Sequence, residues 1–194
     1  MAISVEDIKK LRDATGAGMM KAKEALEAAG GDFDKAVQWL REKGEASAAK
    51  KSEREARAGV IEGYVHSGRI GVLVEINCET DFVARTDDFK QFARDIAMHV
   101  AAANPEYLKP EDVPSEVVER EKAIYSKEAE GKPSAVAEKI VDGKLAKYYE
   151  QACLLNQPFV KDPDVSVSKL TTSLVAKLGE NIVIRRFERM ELGA

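Results

Sequence analysis

A single change of period divides this sequence. Through about residue 45 the apolar side chains recur at helical spacing, whereas from Val60 to Cys78 they alternate. A chain that buries one face of each kind must combine helices with a sheet. The alternation is cleanest in Ile70, Val72, Val74, Ile76 and Cys78, preceded by residues 60–66 and a Ser67-Gly68 turn, which predicts a β-hairpin. Two strands alone are marginal, so the hairpin needs helices over its apolar face and a third strand. Residues 181–192 begin Ile182-Val183-Ile184 and continue Arg185-Arg186-Phe187; they supply that strand, its far half an edge or an interface. The predicted class is α+β, with a three-stranded antiparallel sheet and packed helices.

Ahead of the switch, residues 1–45 carry three short amphipathic segments divided by glycine, the pattern of a miniature helical bundle. Ser4 with Asp7 caps the first, whose inward face is Val5, Ile8 and Leu11, and Thr15-Gly16-Ala17-Gly18 stops it. The second covers residues 19–29 with Met19, Ala22 and Leu26 aligned, and Gly30-Gly31 ends it. Asp32 caps the third, which presents Phe33, Val37 and Leu40, with Trp39 half-covering a neighbour. Residues 46–58 are charged and Ala-rich with almost nothing to bury, a linker or a solvated helix, and residues 59–194 form the core domain. Within that core, Thr86 or Asp87 opens a helix striped with Phe89, Phe92, Ala93, Ile96, Ala97 and Val100, ended by Asn104-Pro105. Pro114-Ser115 and Pro133-Ser134 open two more, an antiparallel helical hairpin whose second member points Val136, Ile140, Leu145, Tyr148, Ala152 and Leu155 inward. Residues 156–163 form a loop, followed by a helix with Val167, Leu170, Leu174 and Leu178 aligned up to Gly179.

Charge and cysteine usage exclude several functions. The 194 residues hold 30 Lys+Arg against 34 Asp+Glu, a formal charge of −4, so no whole-molecule cationic field exists for nucleic acid or anionic lipid. Cys78 and Cys153 are too few and too far apart for a disulfide framework or a metal site, and a reducing, cytoplasmic setting follows. No apolar run approaches a membrane span, and Met1-Ala2-Ile3-Ser4-Val5-Glu6-Asp7 resembles no leader. His66 and His99 have no ligand-spaced partners, no P-loop or nucleophile elbow occurs, and Cys78 reads as an inert buried thiol. Neither a catalytic set nor a cofactor or metal site is predicted.

One stretch resists a purely structural account: Asn77-Cys78-Glu79-Thr80-Asp81-Phe82-Val83-Ala84-Arg85. Thr80 or Asp81 caps a short turn and Phe82 tucks into the core, or a rigid strand end presents an aromatic beside an acid to a partner. At these residues the chain resembles the elongation factor Ts family of bacterial guanine-nucleotide exchange factors. The shared motifs are Thr15-Gly16-Ala17-Gly18-Met19-Met20 with Lys23-Glu24-Ala25-Leu26, Val74-Glu75-Ile76-Asn77-Cys78-Glu79-Thr80-Asp81-Phe82-Val83, Gln157-Pro158-Phe159-Val160 and Gly179-Glu180-Asn181-Ile182-Val183. They run in family order over essentially the whole chain.

The resemblance implies a ubiquitin-associated-like N-terminal three-helix domain before an α+β core. It implies a partner, elongation factor Tu, whose nucleotide-binding domain receives Thr80, Asp81, Phe82 and Val83 near its magnesium, with Phe82 as the wedge. It further implies docking of the N-terminal bundle on another helix of that domain through Met19 and Met20. Longer members carry two copies of the core unit and this chain carries one, which implies a homodimer and a 2:2 complex built on the C-terminal strand or the helical hairpin. That strand has no cysteine to lock it. Two competitors stand beside this: an adaptor whose bundle recognises ubiquitin-like proteins and whose core merely dimerises, and a small enzyme whose site residues escape notice.

Overall fold

The computed structural model describes residues 3–194; Met1 and Ala2, where the leaderless start was read, lie outside the described residues. Three helices come first, α1 (Val5–Thr15), α2 (Met19–Ala28) and α3 (Phe33–Lys51). Their boundaries follow from local chemistry. The Ser4 hydroxyl accepts from the Asp7 amide at 3.0 Å while the Asp7 carboxylate takes the Ser4 amide, a reciprocal capping box. Those Ser4 bonds hold the exposed Asp7 carboxyl below its ordinary range. Gly16, at φ 68°, closes α1 in the left-handed region, and Asp32 accepts from the Lys35 amide to open α3. Ile8, Leu11, Ala22, Ala25, Leu26 and Ala36 form one shared core, with Phe33, Val37, Trp39 and Leu40 half-buried around it.

Two details of this segment differ from expectation. Val5 is exposed, because it occupies the first turn, where no neighbouring helix reaches it. On α3 the fully buried residue is Ala36, small enough to let α3 approach closely. Helix α3 also continues through Lys51, so the first half of the charged stretch is helical, and Ala56 beyond it is buried.

Strands β1 (Ala58–His66), β2 (Ile70–Cys78) and β5 (Val183–Glu191) make the three-stranded antiparallel sheet in the order β1-β2-β5. The β1–β2 turn uses Ser67 and Gly68, both at positive φ (50° and 67°), the twist that suits a tight hairpin. Between β2 and β5 run α4 (Asp81–Ala84), α5 (Asp87–Ala103), α6 (Ser115–Glu128), α7 (Ser134–Ala152), the short strands β3 (Pro158–Phe159) and β4 (Asp162–Ser166), and α8 (Val167–Leu178). The stretch read as a loop is thus partly a second antiparallel pair, with Phe159 opposite Asp162 and Pro158 opposite Ser166. Turn-forming residues had concealed it. Helices α6 and α7 touch through the Lys144–Glu128 ion pair, and Lys144 also stands 5.6 Å from the Tyr125 ring centroid. On α7 Leu145 and Ala152 are buried and Tyr148 half-buried, but Val136 is exposed in the first turn, contrary to expectation.

The chain divides into two compact units. One comprises residues up to Val60, Glu75–Gln91 and Lys169–Arg185. The other comprises Ile61–Val74, Phe92–Ser168 and Arg186–Ala194. Among the described residues no helix is long and apolar enough to cross a membrane.

Candidate functional site

The site grows out of the end of β2. Cys78 is fully buried, which pushes its thiol pKa up, and its Sγ donates to the Thr80 carbonyl at 3.0 Å. Thr80 then leaves the strand in an extended conformation and caps α4, its hydroxyl accepting from the Val83 amide at 3.5 Å. Four residues cannot sustain a helix by themselves. Helix α4 persists because both ends are tied: Thr86 donates to the Val83 carbonyl at 2.8 Å and accepts from the Phe89 amide at 3.3 Å, while Ala84 and Phe89 are buried.

The other end is tied from far along the chain. Glu180, in the turn before β5, accepts from the Glu79 amide (3.1 Å), the Thr80 amide (3.0 Å) and the Thr80 hydroxyl (2.6 Å). In return the Glu79 carboxylate accepts from the Asn181 amide at 2.7 Å and faces Arg54 at 3.5 Å. The buried Asn181 side chain donates to the Arg54 carbonyl at 2.7 Å and the Ser52 carbonyl at 3.4 Å. Residues 52–54, 79–80 and 180–181 therefore form one hydrogen-bonded clasp under α4.

On that base stands Phe82, 79 % exposed. Of the two alternatives for this stretch, the capped turn is present, but the ring does not enter the core. Asp81 is also exposed and pairs with Arg85 at 2.6 Å, one turn along; Val83 is half-buried. Thr80, Asp81, Phe82 and Val83 thus share a single turn. Met19 and Met20 open a separate element, α2, in the same unit. Met20 is 78 % exposed and Met19 38 %, the latter with the Arg12 guanidinium 3.8 Å from its sulfur. Neither methionine belongs to the shared core of α1–α3.

Among the described residues no three His, Cys, Asp or Glu side chains gather as a metal site. In the second unit His99 is fully buried, with Nε2 2.9 Å from the Gln157 side-chain oxygen and Nδ1 accepting from the Val160 amide at 3.2 Å. Burial pulls its pKa down, opposed by the Gln157 bond. Sequence reasoning noticed the Gln157–Val160 and Gly179–Val183 motifs without their physical roles. No local signal marks Glu180 in the sequence, because its partners lie about 100 residues earlier.

The family model described as "Elongation factor TS" matches residues 4–174. The chain is 55% identical over 194 residues to elongation factor Ts of Thermodesulfovibrio yellowstonii, covering 100% of this chain and 98% of that protein. It is 60% identical to that of Carboxydothermus hydrogenoformans, covering 98% and 89%. It is 54% identical to that of Syntrophus aciditrophicus, covering 100% and 98%. With the motifs in order, the turn that carries them built, and relatives matching from end to end, the chain belongs to the elongation factor Ts family of translation elongation factors.

Proposed function

We propose that the chain is a guanine-nucleotide exchange factor that binds elongation factor Tu·GDP, displaces its Mg2+ and promotes release of GDP so that GTP can bind. The observation that carries this reading is the exposure of Phe82 on a turn that is otherwise fully tied down. A ring 79 % exposed adds little to this fold, while covering the rest of it in a partner stabilises a complex by about 1.2–2.4 kcal/mol. Inserted among the elements of the nucleotide-binding domain, the ring shifts the groups that hold the cation and its waters. Without the ion the phosphates lose their largest counter-charge. Asp81 makes polar contacts at the displaced position; its exposed pair with Arg85 is worth little and exchanges readily. Thr80 and Val83 complete the contact turn. No bond is made or broken by this chain, and its own cofactor requirement is none.

Helices α1–α3 serve as the ubiquitin-associated-like docking element, with Met20 and the half-covered Met19 as adaptable thioether contacts. Helices α6 and α7 form the helical hairpin of the core. A homodimer, giving a 2:2 complex, is supported by the second unit: β5 is an edge strand, Met190 is exposed on its far half and Leu192 just beyond it, and Ile61, Val65 and Leu73 are exposed apolar residues of β1 and β2. The reading has no direct nucleic-acid or membrane partner and places the protein in the cytoplasm.

The test is release of a fluorescent GDP analogue from elongation factor Tu, followed by stopped flow with and without the chain. Release accelerates, and by linkage GDP weakens binding of the chain to its partner by the same factor that the chain weakens GDP. An unchanged nucleotide dwell time would instead mark an adaptor whose helices recognise ubiquitin-like proteins.

A further inference from the structure

We propose that Glu180 is the positioning residue for Phe82, holding the aromatic ring in its docking pose before a partner arrives. The proposal rests on the reading of Phe82 as the wedge, and it adds a residue outside the Thr80–Val83 turn to the exchange machinery.

The geometry assigns each oxygen of the carboxylate a separate task. Oε2 accepts from the amides of Glu79 and Thr80, at 3.1 and 3.0 Å, which fixes the chain where it leaves β2. Oε1 takes the proton of the Thr80 hydroxyl at 2.6 Å. A hydroxyl has one proton to give. With that proton committed to Glu180, the Thr80 lone pairs are left facing the Val83 amide, the bond that caps α4. The negative charge thereby enforces the cap through one intermediate atom. A helix of only four residues lies far below the length that nucleates alone, so a tether of this kind decides how often the turn, and the ring it carries, is formed.

The neighbouring groups close the arrangement. Glu79 accepts from the Asn181 amide and faces Arg54, so the two strand ends exchange carboxylates. The Cys78 Sγ and the Ala84 amide both donate to the Thr80 carbonyl, at 3.0 and 3.3 Å. A glutamine at 180 cannot reproduce this. Its amide offers one acceptor and one donor where the carboxylate offers two acceptors. In one orientation the NH2 faces the two backbone donors. In the other it faces the Thr80 hydroxyl, whose proton must then turn toward Val83 and undo the cap.

The experiment is Glu180→Gln in the full-length chain, read as GDP release from elongation factor Tu over a range of chain concentrations. A smaller competent fraction raises apparent dissociation constants in inverse proportion. The expected result is an increase of about tenfold in the concentration giving half-maximal acceleration, the loss that one charge-assisted hydrogen bond brings. The limiting rate at saturation stays within about twofold, since the docked ring is unchanged. In a Phe82→Ala background, Glu180→Gln raises half-saturation by much less than in the wild-type background, the remainder being what the other contacts of the turn lose. Amide exchange at Glu79, Thr80 and Val83 quickens in the free protein.

A merely structural role lowers the melting temperature and leaves half-saturation where it was, and that result overturns the proposal. So does a loss in the Phe82→Ala background as large as in the wild-type background. Should Glu180→Gln melt below the assay temperature, Glu180→Asp, one methylene shorter and so withdrawn from the Thr80 hydroxyl that Glu180 meets at 2.6 Å, is read in its place, and the same largely Phe82-dependent shift is expected from it. Normal release by Phe82→Ala alone overturns the wedge and the role of Glu180 together. Impaired Phe82→Ala beside a wild-type Glu180→Gln overturns the role of Glu180 only.

Discussion

Replacing Phe82 by alanine separates what the ring does for the fold from what it does for exchange. Because the residue is 79 % exposed, only about a fifth of the roughly 1.5–3 kcal/mol available to a buried phenylalanine is realised in the free protein, about 0.3–0.6 kcal/mol. For a chain of this size that lowers the melting midpoint by about 1–2 °C. The remaining four-fifths, about 1.2–2.4 kcal/mol, is gained only when a partner covers the ring. This amounts to a slowing of GDP release of about 8- to 60-fold. A ten-thousandfold loosening of nucleotide needs about 5.5 kcal/mol of differential affinity. The ring therefore supplies less than half of such an effect, and Phe82→Ala retains measurable acceleration and partner binding. Differential scanning calorimetry and stopped-flow release, run on the same preparation, read the two quantities. A fall of more than about 5 °C would mean that the ring is packed in the free protein, and release at the wild-type rate would mean that it plays no part in exchange; either result refutes the reasoning.

Three further outcomes are expected. Gly59 sits at φ 146°, and a Cβ there would lie 2.1 Å from the Ile76 carbonyl oxygen, so Gly59→Ala combines backbone strain of about 1–3 kcal/mol with overpacking of about 1–3 kcal/mol; a denaturant midpoint equal to wild type would contradict the close approach of β1 and β2. His99 has its folded pKa pulled down by burial, so the unfolded chain binds more protons below about pH 6.5. Its share of stability is complete above that pH and declines as pH falls, by at most about 1.4 kcal/mol per unit, and His99→Gln should flatten that slope in urea titrations between pH 7 and 5. Met190→Glu places a charge on the exposed far half of β5; sedimentation should show monomer where the unaltered chain shows dimer, and an unaltered chain that sediments as a monomer at every concentration would remove the homodimer.

Much of this architecture was legible because local rules decided it. The Ser4 box, the Gly16 cap, the Asp32 cap, the Ser67-Gly68 turn and the limits of β2 all follow from neighbours within a few residues. Errors came where a residue's surroundings are set elsewhere. Val5 and Val136 lie on the correct helical faces but at first turns that no neighbour covers. Ala36 carries no hydrophobic signal strong enough to announce a core position, and β4 begins with Asp162-Pro163-Asp164, residues that resemble a turn. For the candidate site, the family resemblance singled out Thr80 to Val83, while the residues themselves left the position of Phe82 open, because a one-turn helix can face either way. The clasp of Glu180 and Asn181 was invisible, since a carboxylate's partners across a hundred residues leave no periodic trace.

The two cysteines carry a practical consequence. Both are fully buried, and desolvation raises the Cys153 thiol to about 11. The thiolate is the nucleophile that attacks an alkylating reagent, so neither native sulfur competes for a maleimide under mild conditions. A single cysteine installed on an outward position such as Val65, 70 % exposed, accepts a dye or spin label selectively in the otherwise unaltered chain, which makes the proposed homodimer accessible to distance spectroscopy without first stripping the protein of its own thiols.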